Sequence, residues 1–150
     1  MQIKSLKDLV KRTQFATAGN LELQSHWAKY LCVVSSGLID NAIETLYIEF
    51  AHRIGSAPLA SFVDATLSGV RNPDTEKILK IAKQFKEKWA QDLDDFISQE
   101  GRQEAINSII GQRHKIAHGE GNQSGITIAS LNKYLDKAIE VIEFIETQCA

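Results

Sequence analysis

The sequence predicts an all-α protein, a helical bundle of about five or six helices, and three observations carry that expectation. Apolar residues recur at three- and four-residue intervals along most of the chain, the spacing of one helix face. Only two prolines and nine glycines interrupt these periodic stretches. No segment of useful length alternates apolar and polar residues, as a half-buried strand would.

Taken in order, the first helix is expected from about Ile3 to Gln14, ended by Gly19-Asn20. A long second helix follows, from about Leu21 to His52. On it Ala28, Leu31, Cys32, Ile39, Ile43, Leu46 and Phe50 gather on one broad face at 100° per residue. Ser36, Asp40, Glu44 and Tyr47 fall on the polar side, where solvent exposure is the default. Gly37 lies inside this helix at a propensity cost of about 1 kcal/mol, which suits close approach of another backbone.

Gly55-Ser56 ends the segment, and Pro58 opens a short third helix reaching about Leu67. Asn72-Pro73-Asp74 is a clear break, after which Asp74 caps a helix beginning at Thr75. The row Ile78, Ile81, Phe85, Trp89, Leu93 and Phe96 keeps helical spacing, with a bend allowed for. Gly101 precedes another helix, about Arg102 to Ala117. Gly119 to Gly125 reads as a polar loop, and Ser130 as the cap of a last helix carrying Leu131, Leu135, Ala138, Ile142 and Ile145.

A length of 150 residues fits one domain, residues 1–150, burying roughly 70% of the unfolded chain's surface without a metal or disulfide staple. The net charge of −2 excludes a strongly basic nucleic-acid coat and leaves local basic patches open. Cys32 and Cys149 form neither a disulfide framework nor a zinc spacing, in keeping with a reducing cytoplasm. The N-terminus lacks the apolar core of a signal peptide, and no apolar run approaches the roughly 20 residues of a membrane span. A soluble, cytoplasmic protein with no membrane partner is expected.

Chemistry concentrates at Gly111-Gln-Arg-His-Lys-Ile-Ala-His-Gly119. Arg113 keeps its charge and can grip phosphate oxygens through two parallel hydrogen bonds. An imidazole such as that of His118 can take up and release protons. Phosphodiester cleavage needs a proton carrier and a fixed cation for the developing phosphorane charge. The same residues equally suit a plain helix C-terminus, where cations meet free carbonyls and the helix dipole. Spacing complicates the functional reading: five positions place Arg113 and His118 about 140° apart on an ideal helix. His114 and His118 do share a face, and with Glu120 or His52 they form a conceivable metal site. Lys77, Lys80, Lys83 and Lys88 lie within an arc of about 140°, either a nucleic-acid track or a solvated face. Phosphate-binding glycine loops, nucleophile elbows and paired-carboxylate signatures are absent from the sequence.

Arg113-x-x-x-x-His118 followed by Gly119, late in an all-helical chain of this length, resembles the Rx4-6H motif of HEPN domains. The wider stretch RHKIAHGE is similar to the RiboL-PSP and MAE_28990-like prokaryotic branch of that superfamily. SSGLIDNAIE, Ser35 to Glu44, and NPDTEKILKIAKQFKEKW fit the same branch, so the resemblance spans most of the chain. It implies a metal-independent endoribonuclease without cofactor, using the RNA 2′-hydroxyl as nucleophile and leaving a cyclic phosphate and a 5′-hydroxyl. It implies a homodimer in which two Arg/His motifs form one composite cleft. His118 would then be the general base or acid, and Arg113 would hold the scissile phosphate. His114 would support them, with Asp40, or alternatively Glu44, in an orienting role. Such domains resemble toxins of toxin–antitoxin pairs and effectors of phage defence, with an antitoxin or defence-system protein as partner. Others serve as non-catalytic modules binding a protein or RNA, and that alternative stands beside the nuclease.

Overall fold

A computed structural model describes residues 2–120 and 124–150 of the chain. Among them it forms seven helices and no strand: α1 (Gln2–Ala16), α2 (Leu21–Ile54), α3 (Ala57–Leu67), α4 (Thr75–Phe85), α5 (Glu87–Ile97), α6 (Arg102–Ala117) and α7 (Ile128–Cys149). The all-α expectation holds, with seven helices in place of five or six.

The extra helix comes from Lys86, whose extended backbone (φ −151°, ψ 132°) divides the Thr75–Ile97 stretch in two. One straight helix over that length would run about 35 Å. Broken at Lys86, the stretch reaches two neighbours at once. Thr75 N donates to Asn107 Oδ1 of α6 at 3.0 Å, and Gln148 of α7 donates to the Trp89 carbonyl at 3.1 Å. Phe85 and Trp89 flank the break and pack with Tyr47 and Phe50 of α2, with ring centroids 4.9 to 6.3 Å apart.

Local chemistry sets most other boundaries. The side chains of Asn20 and Asp74 accept from Leu23 N and Lys77 N, capping α2 and α4. The cap of α7 lies three residues before the expected one. Thr127 caps the helix, and Ser130 closes a reciprocal capping box from the third position. The expected loop from Gly119 to Gly125 lies partly outside the described residues, which omit 121–123.

Helix α2 is the central post, packed against α1, α3, α6 and α7. Its supposed polar side is a correction: Ser36 and Tyr47 are fully buried, and Asp40 and Glu44 are half-buried. Two neighbours cover that side, the 68–74 segment over Ser36 and Asp40, and Phe85 over Tyr47. The Gly37 expectation also changes, because a Cβ there would meet nothing within 4 Å in the described chain. By length and composition α2 is apolar enough to cross a membrane, contrary to the sequence estimate; here Leu31, Cys32, Leu38, Ile39 and Ile43 are core residues of the bundle.

Candidate active site

Helix α6 ends in a glycine-dependent cap that sets the position of His118. His118 is the last residue of the cap (φ −96°, ψ 20°), and its N–H donates to the His114 carbonyl at 3.1 Å. Gly119 follows with φ +76°, and Glu120 N–H returns to the Lys115 carbonyl at 2.8 Å. That six-to-one bond is the Schellman closure, and a side chain at Gly119 would be strained in the left-handed region. The chain therefore leaves the helix directly behind His118, which holds an exposed ring at the rim. The His114 ring lies beside it, with centroids 4.2 Å apart and planes tilted by 48°.

Arg113 takes the other side of the same turn. It is half-buried, and its charge acts on Asp40 of α2. Cys32 Sγ, two turns earlier on α2, reaches the Ile109 carbonyl at 3.5 Å, so α2 and α6 are in contact along this edge. Arg113 thus acts on the Asp40 side of α6, while His118 is exposed at the helix end. No hydrogen bond or ion pair joins Arg113 to His118 among the described residues.

Asp40 is at the centre of the Arg113 side. Burial raises its carboxyl above the usual carboxylate range. The Asn72 backbone N–H and the cations Arg71 and Arg113 pull the other way without overcoming burial, and Glu44 pushes it up further. Asp40 Oδ1 is buried without a hydrogen-bond partner. Asn72 adopts a left-handed backbone (φ +49°), which asparagine tolerates, and its Oδ1 accepts from Ser36 Oγ at 3.4 Å. That conformation brings Arg71 and Asn72 over α2. Sequence reasoning saw Asn72-Pro73 only as a break and missed both residues as neighbours of Asp40. The signal for them was tertiary.

Other candidates fare differently. Among the described residues no group of three or more His, Cys, Asp or Glu side chains assembles, so His114 and His118 form a two-ligand face without Glu120 or His52. Burial pushes the Cys32 thiol up to about 11, which leaves it protonated and inert at neutral pH. The lysine row splits at Lys86. Lys88 pairs with Asp92 at 2.7 Å, Lys83 reaches Glu87 at 4.0 Å, and among the described residues Lys77 and Lys80 have no ion pair.

The site can thus present an exposed imidazole pair and, on the α2 side, a guanidinium beside a carboxyl that burial raises above its usual range. No curated protein and no solved structure was found to match the chain. The model of the RiboL-PSP-HEPN family matches residues 2–150, essentially the full length, in a superfamily whose domains are often nucleases. The chain therefore belongs to the RiboL-PSP-HEPN family.

Proposed function

We infer that the protein is a metal-independent endoribonuclease that acts as a homodimer, in a toxin–antitoxin or phage-defence setting in the cytoplasm. One observation carries this reading: α6 ends with an exposed His118 and a half-buried Arg113 that makes no hydrogen bond or ion pair among the described residues. The RNA 2′-hydroxyl attacks the adjacent phosphorus, the P–O5′ bond breaks, and the products are a 2′,3′-cyclic phosphate and a 5′-hydroxyl. One imidazole takes the 2′-hydroxyl proton, and one protonates the departing 5′-oxygen. Arg113 neutralises the phosphorane oxygens. Within one copy no hydrogen bond or ion pair joins Arg113 to His118 among the described residues; two copies apposed at this end of α6 supply both groups to one phosphate.

The test is cleavage of RNA in EDTA. Arg113→Ala and His118→Ala are each expected to lower the rate by about 10²–10³-fold, and DNA, lacking the 2′-hydroxyl, is expected to resist. Cleavage unchanged in both variants would end the proposal.

A second reading, a non-catalytic module binding a partner protein or RNA, draws on the apolar residues left exposed: Trp27 and Tyr30 on α2, Leu59 and Phe62 on α3. Growth on overexpression separates the two. Toxicity relieved by His118→Ala favours the nuclease, and toxicity indifferent to it favours the module.

A further inference from the structure

A groove of about 330 Å³ runs between the end of α3, the 69–71 segment and α4. Arg71, Lys77, Lys80 and Gln84 edge it, and Leu67, Val70 and Ile81 supply an apolar floor. On α4, Lys77, Lys80, Ile81 and Gln84 are spaced i, i+3, i+4, i+7, so one helical stripe faces the groove. Lys77 Nζ donates to the Arg71 carbonyl at 3.4 Å, which holds two of the cations on adjoining walls. None of Arg71, Lys77 or Lys80 has an ion pair within 4 Å among the described residues, although Glu76 lies one turn before Lys80. The other cations of α4 and α5 differ: Lys83 and Lys88 are matched by Glu87 and Asp92.

The groove also lies next to the carboxyl on which the Arg113 charge acts. The small cavity at Asp40 and Glu44 is lined by Leu67, Val70 and Ile81, the same three residues that floor the groove. Arg71, on the edge of the groove, is within charge range of the carboxyl on which Arg113 also acts.

We propose that this groove binds the backbone of single-stranded RNA beside the cleavage site, with Arg71, Lys77 and Lys80 on successive phosphates and the apolar floor under a base or ribose. The proposal rests on the nuclease reading for its substrate and adds where the strand runs. Unpaired cations around an apolar floor fit a chain of evenly spaced negative charges carrying flat apolar faces.

The test reads binding without cleavage. His118→Ala protein is titrated into a short fluorescent single-stranded RNA at several salt concentrations, with anisotropy as the signal. Adding Arg71→Ala, Lys77→Ala and Lys80→Ala together is expected to weaken binding at least tenfold at low salt, and to make the log–log salt slope shallower by about 2, three contacts at roughly 0.7 each. Lys4→Ala, Lys11→Ala and Lys133→Ala together remove three exposed lysines of α1 and α7 and are expected to leave the slope nearly unchanged. Lys80→Glu alone, a fully surface change, gives the same direction should the triple variant melt early. Equal losses in both triples would overturn the proposal, and so would RNA binding indifferent to the groove. Loss of poly-glutamate binding with RNA affinity intact would assign the groove to an acidic protein and also overturn it. Protein that cuts no RNA but loses binding in the groove variant keeps this proposal and removes the nuclease reading; the reverse pattern does the opposite.

Discussion

Helix α6 carries two arginines eleven residues apart, within about 20° of the same line along the helix, and their surroundings are opposite. Arg102 is 8% exposed, and all three of its nitrogens have acceptors. Its Nε reaches Glu140 at 3.0 Å, one terminal nitrogen reaches Glu100 at 3.1 Å, and the other reaches the Phe96 carbonyl at 2.9 Å. Its Cζ lies 3.7 Å from the centroid of the Phe96 ring. Arg113 is half-buried, with a carboxyl in charge range and no hydrogen bond among the described residues. A guanidinium whose three nitrogens are all engaged by its own chain holds structure together. One whose donors are open can accept a phosphate. The same side chain on the same stripe thus fastens α6 to α7 at one end and is available for a ligand at the other.

The contrast predicts opposite readouts for the same substitution. Arg113→Ala is expected to lose the cleavage rate given above while stability shifts by no more than about 0.5 kcal/mol. Arg102→Ala is expected to keep cleavage per folded molecule and to lose roughly 2 kcal/mol, because Glu140 and the Phe96 carbonyl lose their donor. The partial exposure of Glu100 and Glu140 keeps that figure low. For a chain of this length it corresponds to a Tm drop of roughly 4–8 °C. Thermal melts and initial rates on both variants check it. Equal melting points, or equal rates, would dissolve the distinction.

Only one of the two arginines was legible in the sequence. Arg113 stands out because its chemistry is local, with His114, Lys115 and His118 in the next five positions. Arg102 has its main partner 38 residues away on α7, and no spacing rule reaches that far. The helix boundaries divide in the same way. Gly19-Asn20 and Asn72-Pro73-Asp74 mark breaks through their own backbone preferences. Lys86 has no such preference, and its break follows from packing of Phe85 and Trp89 against Tyr47 and Phe50. Tyr47 falls on the polar side by its angle on the helix, yet Phe85 covers its ring, and its hydroxyl is buried without a partner. The Asp40 environment was legible only as a residue type. Arg71 and Asn72, which shape it, arrive through a left-handed backbone at Asn72.

A smaller effect sharpens the distinction at the His118 end. Gly119→Ala forces a side chain into φ +76° and is expected to cost about 1–2 kcal/mol. Asparagine, which tolerates this region, is expected to cost less. Because the Glu120-to-Lys115 closure fixes where His118 leaves the helix, the alanine variant is also expected to cut more slowly even when fully folded. Rates measured well below its melting point separate the two contributions. A rate unchanged in Gly119→Ala would mean that the cap does not position the histidine.

The smallest effect concerns the carboxyl beside Arg113, and its sign decides how free that arginine is. Burial is the largest influence on Asp40, and it raises the folded-state pKa above the unfolded value of about 4. A group raised in this way favours the fold fully below the unfolded pKa, and that contribution is lost as pH rises through the folded value. Asp40→Asn, which retains an acceptor for the Asn72 N–H, is therefore expected to match the parent near pH 3 and to melt slightly higher at neutral pH. Were Asp40 instead bound to Arg113 as Glu140 is to Arg102, the variant would melt lower at neutral pH. Melting curves for parent and variant across the acid range distinguish these outcomes. A neutral-pH loss would make Arg113 a second structural arginine, with its donors engaged before any phosphate arrives.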